Sequence, residues 1–211
     1  MKLLRWEKLS TDETLSRFKR TRLRGFDQPY VYEPAELTLE RAIDTDRLMP
    51  AQRYVLESDL QSVFALEKMF LMQGINIYDL DGVLLFWIER DGEEEGPIPL
   101  APPIVEESLE ANGERIWLIN DGMHRVTAAR KRGMPINIIL AKGVSIDYPY
   151  YALPLENGWA DVVELSELPD GFQKKSYRNP DNYKALFRDF NDVFPGIQKQ
   201  RKQSNPDNIR E

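Results

Sequence analysis

Residues 118–133, with the sequence LINDGMHRVTAARKRG, constrain the fold more than any other part of the chain. The apolar run at residues 116–119 is typical of a buried strand, and the Asn-Asp-Gly break at residues 120–122 ends it. The following residues have the spacing of a short helix, which Gly133 terminates. Residues 136–141 (INIILA) then predict a second buried strand. The pattern predicts a strand, a tight turn, a helix and another strand.

The turn between the first strand and the helix has the properties of an anion-binding site. The first turn of a helix presents N–H groups without intrahelical partners and carries the positive end of the helix dipole. Gly122 permits close approach of backbone or ligand, and His124 and Arg125 add hydrogen-bond donors. These features predict a phosphate or carboxylate site. A structural alternative stays open, in which Asp121 only caps the helix and His124 and Arg125 are solvated.

Two stretches of the chain resemble a known superfamily. The run DGMHR at residues 121–125, followed by a glycine-terminated helix, is similar to the D-G-x-H-R turn of the ParB/sulfiredoxin superfamily. Residues 42–52 (AIDTDRLMPAQ) resemble the opening strand of that superfamily and its leucine-x-proline turn. The resemblance covers residues 40–142. It implies an α/β (α+β) fold with a small mixed sheet, flanking helices and a bound nucleotide.

The resemblance also implies roles for the residues of the turn. Gly122, Met123, His124 and Arg125 would hold the phosphates of ATP, ADP or CTP through their amides and side chains. Asp121 would cap the helix, bind a phosphate-bridging Mg²⁺ or act as a base, and His124 is a second candidate catalytic residue. We therefore expect a nucleotide-binding protein that is a phosphotransferase or a nucleotide hydrolase.

The expected general base is missing from its usual place. Free serine kinases that resemble this fold have a glutamate shortly after the leucine-x-proline turn, where this chain has Ala51, Gln52 and Arg53. Neither an amide nor a guanidinium is a general base at neutral pH, so Gln52 and Arg53 are predicted to contact substrate. Glu57 lies about one helical turn beyond Arg53 and is the candidate replacement.

Residue types that are rare or missing exclude several other functions. The chain has no cysteine, which excludes disulfides, zinc-thiolate sites and thiol nucleophiles. Sulfiredoxins place their reactive cysteine in the turn, where this chain has Met123. A single histidine excludes histidine-rich metal sites. Any kinship with sulfiredoxins is therefore one of fold and anion binding.

A noncatalytic module is the alternative function. Chromosome-partition proteins that resemble this domain bind CTP and continue into a helix-turn-helix DNA reader, but no such helix pair is evident after Ala141. The net charge of −7 disfavours a protein that coats nucleic acid. Residues 1–24 nevertheless hold eight Lys or Arg against three Asp or Glu, so this basic segment could contact nucleic acid.

The remaining sequence predicts the overall organisation. Residues 1–39 are predicted to be an N-terminal extension, residues 40–142 the ParB/sulfiredoxin-like domain, and residues 143–211 a C-terminal appendage with one helix and a loose tail. No apolar run reaches the ~18 residues of a membrane span, and charges interrupt the N-terminus where a signal peptide would be apolar. We therefore expect a cytoplasmic protein without a membrane partner.

Several local predictions can be compared directly with a structure. In the first half of the chain they are a helix over 11–24 capped by Thr11 or Asp12, a strand over 42–47, a helix opened by a Ser58–Gln61 capping box and ended by Gly74, and a strand over 83–88. Further along the chain they are a surface loop over 91–99, a helix from Asn179 to Pro195, and a loose tail from Gln198. The aromatic residues between Tyr148 and Trp159 predict either a pocket wall or simple packing. Tyr30 and Tyr32 predict either a base-stacking platform or packing.

Overall fold

The structure is a computed structural model that describes residues 2–191, 193, 194 and 196. In this part of the chain the elements are, in order, β1 (Lys2–Lys8), α1 (Thr11–Phe18), β2 (Arg22–Leu23), β3 (Glu36–Ile43), a 3-10 helix (Thr45–Arg47), β4 (Leu48–Met49), β5 (Tyr54–Leu56), α2 (Glu57–Leu71), β6 (Leu84–Arg90), β7 (Glu93–Leu100), β8 (Ile104–Leu109), β9 (Arg115–Asp121), α3 (Met123–Arg132), β10 (Ile136–Lys142), a 3-10 helix (Gly158–Asp161), β11 (Val163–Leu165), a 3-10 helix (Tyr183–Leu186) and β12 (Arg188–Asp189). None of these helices is both long enough and apolar enough to cross a bilayer.

The largest sheet is mixed and has the strand order β3-β10-β8-β9-β4. Strand β10 is antiparallel to β3 and parallel to β8, and β9 is antiparallel to β8 and parallel to β4. Six of the seven residues of β10 are buried, because both faces of this strand are covered. The predicted strands at 116–119 and 136–141 are confirmed as β9 and β10, and the α+β architecture agrees with the predicted fold class.

A smaller antiparallel sheet has the order β1-β6-β7. The predicted strand at 83–88 is confirmed as β6, but the predicted surface loop at 91–99 is wrong. Asp91 and Gly92 both have positive φ and form a tight turn, so the residues after it return alongside β6 as β7. The glutamates of this hairpin are therefore strand residues, and Glu94 pairs with Arg5 of β1 at 2.8 Å.

The N-terminal residues are part of the same fold. Helix α1 ends at Phe18 rather than at residue 24, and its cap is Ser10, whose Oγ accepts a hydrogen bond from the Glu13 amide at 3.1 Å. The predicted caps are therefore wrong, because Thr11 already lies inside the helix and its hydroxyl donates to the Asp81 carbonyl at 2.5 Å. The predicted domain boundary after residue 39 falls inside β3.

The region around the leucine-x-proline turn differs from prediction in its boundaries. Strand β3 ends at Ile43 instead of continuing to residue 47, because Ala42 has positive φ (49°) and Asp44 caps a 3-10 helix. The capping box of α2 is also wrong: Leu56 occupies the cap position, and Ser58 lies within the helix. Its apolar face is confirmed, with Leu60, Val63, Met69 and Phe70 buried.

The helix predicted from Asn179 is absent from the described residues 179–191. A 3-10 helix and the short strand β12, which pairs with β2, take its place. The Arg188 side chain in this segment is buried and pairs with Glu106, a tertiary contact that the local helical spacing does not include. The tail predicted to be loose from Gln198 lies outside the described residues.

Candidate functional site

A cleft of about 1230 Å³ opens at the N-terminus of α3. Three parts of the chain surround it: the turn from β9 into α3, one face of α2, and the segment around residues 174–177. Its charged lining residues are Asp59, Asp121, His124, Arg125, Lys174 and Lys175. Tyr54, Tyr151, Tyr177 and Phe187 contribute aromatic surface.

Gly122 gives the turn its shape. It occupies the N-cap position of α3 with φ = 89°, a conformation that favours glycine. A Cβ at this position would lie 2.8 Å from Pro103 Cβ and 2.9 Å from Arg125 Nη2. Gly122 therefore allows β8 and α3 to approach closely, and it contributes no capping side chain at the opening of the helix.

Some backbone N–H groups at the start of α3 already donate hydrogen bonds to the protein itself. The Arg125 amide donates to the Gly122 carbonyl at 2.9 Å, so Arg125 would reach a ligand through its guanidinium rather than through its predicted backbone contact. Met123 is buried against the core. Met123 and His124 lie in the first turn, where helix amides have no intrahelical acceptor, and both residues line the cleft.

Arg125 is held on the cleft by Asp121. Its Nη2 atom lies 3.3 Å from Asp121 Oδ2, and its side chain is only 13% exposed, against 34% for Asp121. Burial lowers the pKa of Arg125, and the charge of Asp121 opposes that shift. The guanidinium therefore stands at the site in a fixed orientation, since one carboxylate and the surrounding protein hold it.

His124 is held by a carboxylate from α2. Its Nε2 atom lies 3.3 Å from Asp59 Oδ2. Burial lowers the pKa of His124, Asp59 partly offsets this effect, and the positive charge of Lys174 adds to it. His124 is therefore predominantly neutral near pH 7, and an anion bound beside it would favour its protonated form.

The sequence prediction did not include Asp59. Asp59, Val63 and Leu66 all line the cleft, and they share one face of α2 because they are four and three residues apart. This helical spacing could have predicted that Asp59 belongs to the site, but only if the face of α2 that meets α3 had been known.

The three predicted residues upstream of Asp59 are placed differently from one another. Gln52 lines the cleft, although its Nε2 donates to the Tyr54 carbonyl at 2.5 Å. Arg53 does not line it, and its Nη2 contacts Ser176 Oγ at 2.7 Å. Glu57, the first residue of α2, also lies outside the cleft lining. Asp59 is thus the carboxylate that α2 brings to the cleft.

Lys174 and Lys175 reach the cleft from beyond the region that resembles ParB. The Lys175 side chain is buried, and its Nζ donates to the hydroxyls of Tyr150 and Tyr151 at 2.6 and 2.7 Å. Tyr151 also contacts Phe187, with ring centroids 4.6 Å apart. The aromatic stretch predicted from Tyr148 therefore serves both packing and the cleft wall. No local sequence pattern predicts that the two lysines belong to the site, because their position depends on contacts between residues that are distant in sequence.

A buried polar network lies directly behind the turn. Arg188 Nε and Nη2 donate to Glu106 Oε1 and Oε2, each at 2.8 Å, and both side chains are almost fully buried. Tyr32 donates its hydroxyl to Glu106 at 2.6 Å, and Asn120 Nδ2 donates to the same carboxylate at 2.7 Å. Tyr32 is thus a packing residue, and the network fixes Asn120 immediately before Asp121.

The described residues contain no group of three or more His, Cys, Asp or Glu side chains arranged to hold a metal ion. A Mg²⁺ ion bound at Asp121 would therefore take most of its ligands from phosphate oxygens and water. Carboxylates partly neutralise the basic N-terminal segment. Its ion pairs are Arg5–Glu94, Lys8–Asp81, Arg17–Glu13 and Arg24–Asp189.

Comparison with known proteins identifies one family. A family model described as the ParB CE domain matches residues 13–163. No curated protein and no solved structure matches the chain. The matched range includes the turn from β9 into α3 and the cleft face of α2, but it ends before Lys174 and Lys175.

Proposed function

The chain belongs to the ParB CE domain family, and we propose that it binds a nucleotide by its phosphates in the cleft at the N-terminus of α3. The observation that carries the proposal is the charge of this cleft. Arg125, Lys174 and Lys175 line it against two carboxylates, although the whole chain has a net charge of −7. A local excess of positive charge beside a helix N-terminus favours an anionic ligand.

The phosphates would lie against the first turn of α3. The amides of Met123 and His124, together with the Arg125 guanidinium, would donate to them, and Gly122 would let them approach the backbone. Mg²⁺, where the ligand brings it, would bind between Asp121 and the phosphate oxygens. ATP, ADP and CTP are the candidate ligands.

The aromatic side of the cleft supports a nucleotide over a simple inorganic anion. Tyr151, Tyr177 and Phe187 line the cleft and offer ring surface on which a base could stack. Ligand sites commonly have volumes of about 300–1000 Å³, so this cleft has room for a base and a sugar as well as phosphates.

Transfer or hydrolysis of a phosphoryl group would need a base in the cleft. Asp59 and Asp121 are the carboxylates that line it, whereas Glu57 does not, so the proposed catalytic role moves from Glu57 to Asp59. His124 and Arg125 contact these two carboxylates. A substrate hydroxyl would have to displace one of these contacts before it transferred its proton.

Those same contacts support the second candidate, a noncatalytic module that binds nucleotide or nucleic acid without a reaction. In this case the Arg125 guanidinium holds Asp121, and the His124 imidazole holds Asp59, as structural partners. The basic segment at residues 1–24 would then be the candidate contact for nucleic acid, with an affinity that falls steeply as salt rises.

Calorimetric titration of the whole chain with ATP, ADP and CTP, with and without Mg²⁺, tests nucleotide binding. A bound nucleotide at a hundredfold excess over its Kd should stabilise the fold by about 2.7 kcal/mol. Arg125→Ala should weaken binding about 10- to 100-fold, because it removes a charged hydrogen bond.

Arg130→Ala is the matched control for this substitution. Arg130 lies in the same helix but pairs with Asp46, away from the cleft. Equal nucleotide affinity in wild type and Arg125→Ala would contradict the proposal. So would a fold whose stability does not change when each of the three nucleotides is added. Chromatography then separates an enzyme from a binding module, because hydrolysis yields the shortened nucleotide and phosphate, and phosphoryl transfer yields the shortened nucleotide and a phosphorylated acceptor.

A further inference from the structure

Lys175 is a buried cation whose contacts are with neutral groups. Lys175 is only 7% exposed, and its Nζ donates to the hydroxyls of Tyr150 and Tyr151. Among the described residues, none of the ion pairs includes Lys175. A buried charge is costly unless an opposite charge compensates it.

The Tyr150 hydroxyl does not supply that opposite charge. Burial raises the pKa of Tyr150 well above 10, so its hydroxyl stays neutral at physiological pH. An ammonium group has three N–H donors, and the two tyrosine hydroxyls account for two of them. The third is available to a group in the cleft that Lys175 lines.

The segment that carries Lys175 faces the opening of α3. The adjacent Lys174 lines the same cleft as His124, and its positive charge lowers the pKa of His124. The Arg53 amide donates to the Lys174 carbonyl at 3.0 Å and ties the segment to the edge of the cleft. Both lysines follow the family match, so this wall of the site is an addition of the chain beyond its ParB CE region.

We propose that Lys175 determines ligand specificity by binding a second anionic group, while the first turn of α3 binds the first. This inference rests on the proposed function, and it assigns to a particular side chain the requirement for a ligand with at least two linked phosphates. A nucleoside diphosphate or triphosphate meets this requirement, whereas a nucleoside monophosphate does not.

A series of inorganic anions tests the inference on the unmodified chain. Orthophosphate, pyrophosphate and tripolyphosphate are titrated by calorimetry, followed by the mono-, di- and triphosphates of adenosine and cytidine. Pyrophosphate should bind about 10- to 100-fold more tightly than orthophosphate, since it gains a second charged hydrogen bond. Nucleoside diphosphates should show a similar advantage over monophosphates.

Lys175→Gln then assigns the second contact. Glutamine keeps an amide donor for the tyrosine hydroxyls but removes the charge, so the advantage of pyrophosphate should disappear and orthophosphate binding should remain. Lys184→Gln is the matched control, because Lys184 is an exposed lysine 6.0 Å from the centroid of the Tyr183 ring and does not line the cleft. Its affinities should equal those of the wild type.

The outcomes separate this inference from the proposed function. Nucleotide binding with equal affinity for mono- and diphosphates, or unchanged pyrophosphate binding in Lys175→Gln, overturns the role of Lys175 and leaves nucleotide binding intact. An advantage of pyrophosphate over orthophosphate that Lys175→Gln removes, without any nucleotide binding, supports the role of Lys175 and overturns nucleotide binding. Failure of every anion to bind overturns both. The anion series requires no substitution, so equal affinity for orthophosphate and pyrophosphate would overturn the inference even if Lys175→Gln does not fold.

Discussion

Arg188 and Lys175 are both buried cations of the C-terminal segment, but their surroundings differ. Arg188 makes a two-point contact with Glu106 and also donates to the carbonyls of Tyr148 and Leu186. Lys175 meets two neutral hydroxyls at the wall of the cleft. A charge satisfied within the protein holds the chain together, whereas a charge placed beside open space with neutral partners can be satisfied by a ligand.

The two ends of α3 show the same contrast. The cations of the last turn meet carboxylates from other elements, and these pairs are Arg130–Asp46, Lys131–Glu164 and Arg132–Glu67. At the first turn, glycine replaces a capping side chain and the cleft lies directly outside. The last turn thus anchors the helix, and the residues of the first turn line the cleft.

The largest expected effect tests the structural side of the first contrast. Arg188→Ala should lower the free energy of unfolding by about 3–5 kcal/mol, because it leaves the Glu106 carboxylate buried without its partner. Urea denaturation measures this change. Arg24→Ala is the control, since its pair with Asp189 is partly exposed and should contribute about 0–1 kcal/mol. Comparable losses of unfolding free energy in the two variants would show that the buried Arg188–Glu106 pair contributes no more than a partly exposed ion pair.

The contrast also explains how far the sequence could be interpreted. The elements around residues 116–141 were predicted correctly because strand burial, the glycine turn and the helix end are encoded within a few residues of one another. The helix predicted from Asn179 is wrong, and the contacts of this segment, such as Arg188 with Glu106 and β12 with β2, join residues that are distant in sequence. The hairpin at 91–99 was missed because its glutamates obscured the Asp91-Gly92 turn signal.

The residues of the candidate site likewise include some that the sequence predicted and some that it did not. Gln52 and the turn at residues 121–125, which the sequence predicted to form one site, line the same cleft. It selected Glu57 where the structure presents Asp59, because two residues along a helix change the direction of a side chain by about 200°. It gave no indication of Lys174 or Lys175, whose positions depend on tertiary contacts. The roles assigned to these residues remain predictions.

An intermediate effect is expected from the two glycines that bound α3. Both have positive φ, 89° for Gly122 and 63° for Gly133, so alanine is strained at either position. Only Gly122 is also crowded, because a Cβ there would meet Pro103 at 2.8 Å, whereas Gly133 has nothing within 4 Å. Gly122→Ala should cost about 2–4 kcal/mol and Gly133→Ala about 1–2 kcal/mol of unfolding free energy. Equal costs would mean that the close approach of β8 to the turn is unimportant.

The smallest effect concerns the pH dependence of stability through His124. Burial lowers the pKa of His124 in the folded state, so the unfolded state takes up a proton first as the pH falls through about 6.5. Stability should therefore fall on acidification from about pH 7.5 to pH 5.5, and His124→Asn should reduce this loss. Denaturation at both pH values, in wild type and variant, measures it.

The same group should link pH to ligand binding with the opposite sign. A bound phosphate beside His124 stabilises the imidazolium, so binding takes up a proton and affinity should rise as the pH falls. Phosphates also titrate in this range, but His124→Asn retains that contribution and loses only the contribution of the histidine. The difference in affinity between wild type and variant should therefore widen toward acid pH. A constant difference would place the anion away from His124 and from the first turn of α3, and the contrast between the two ends of the helix would then have no functional meaning.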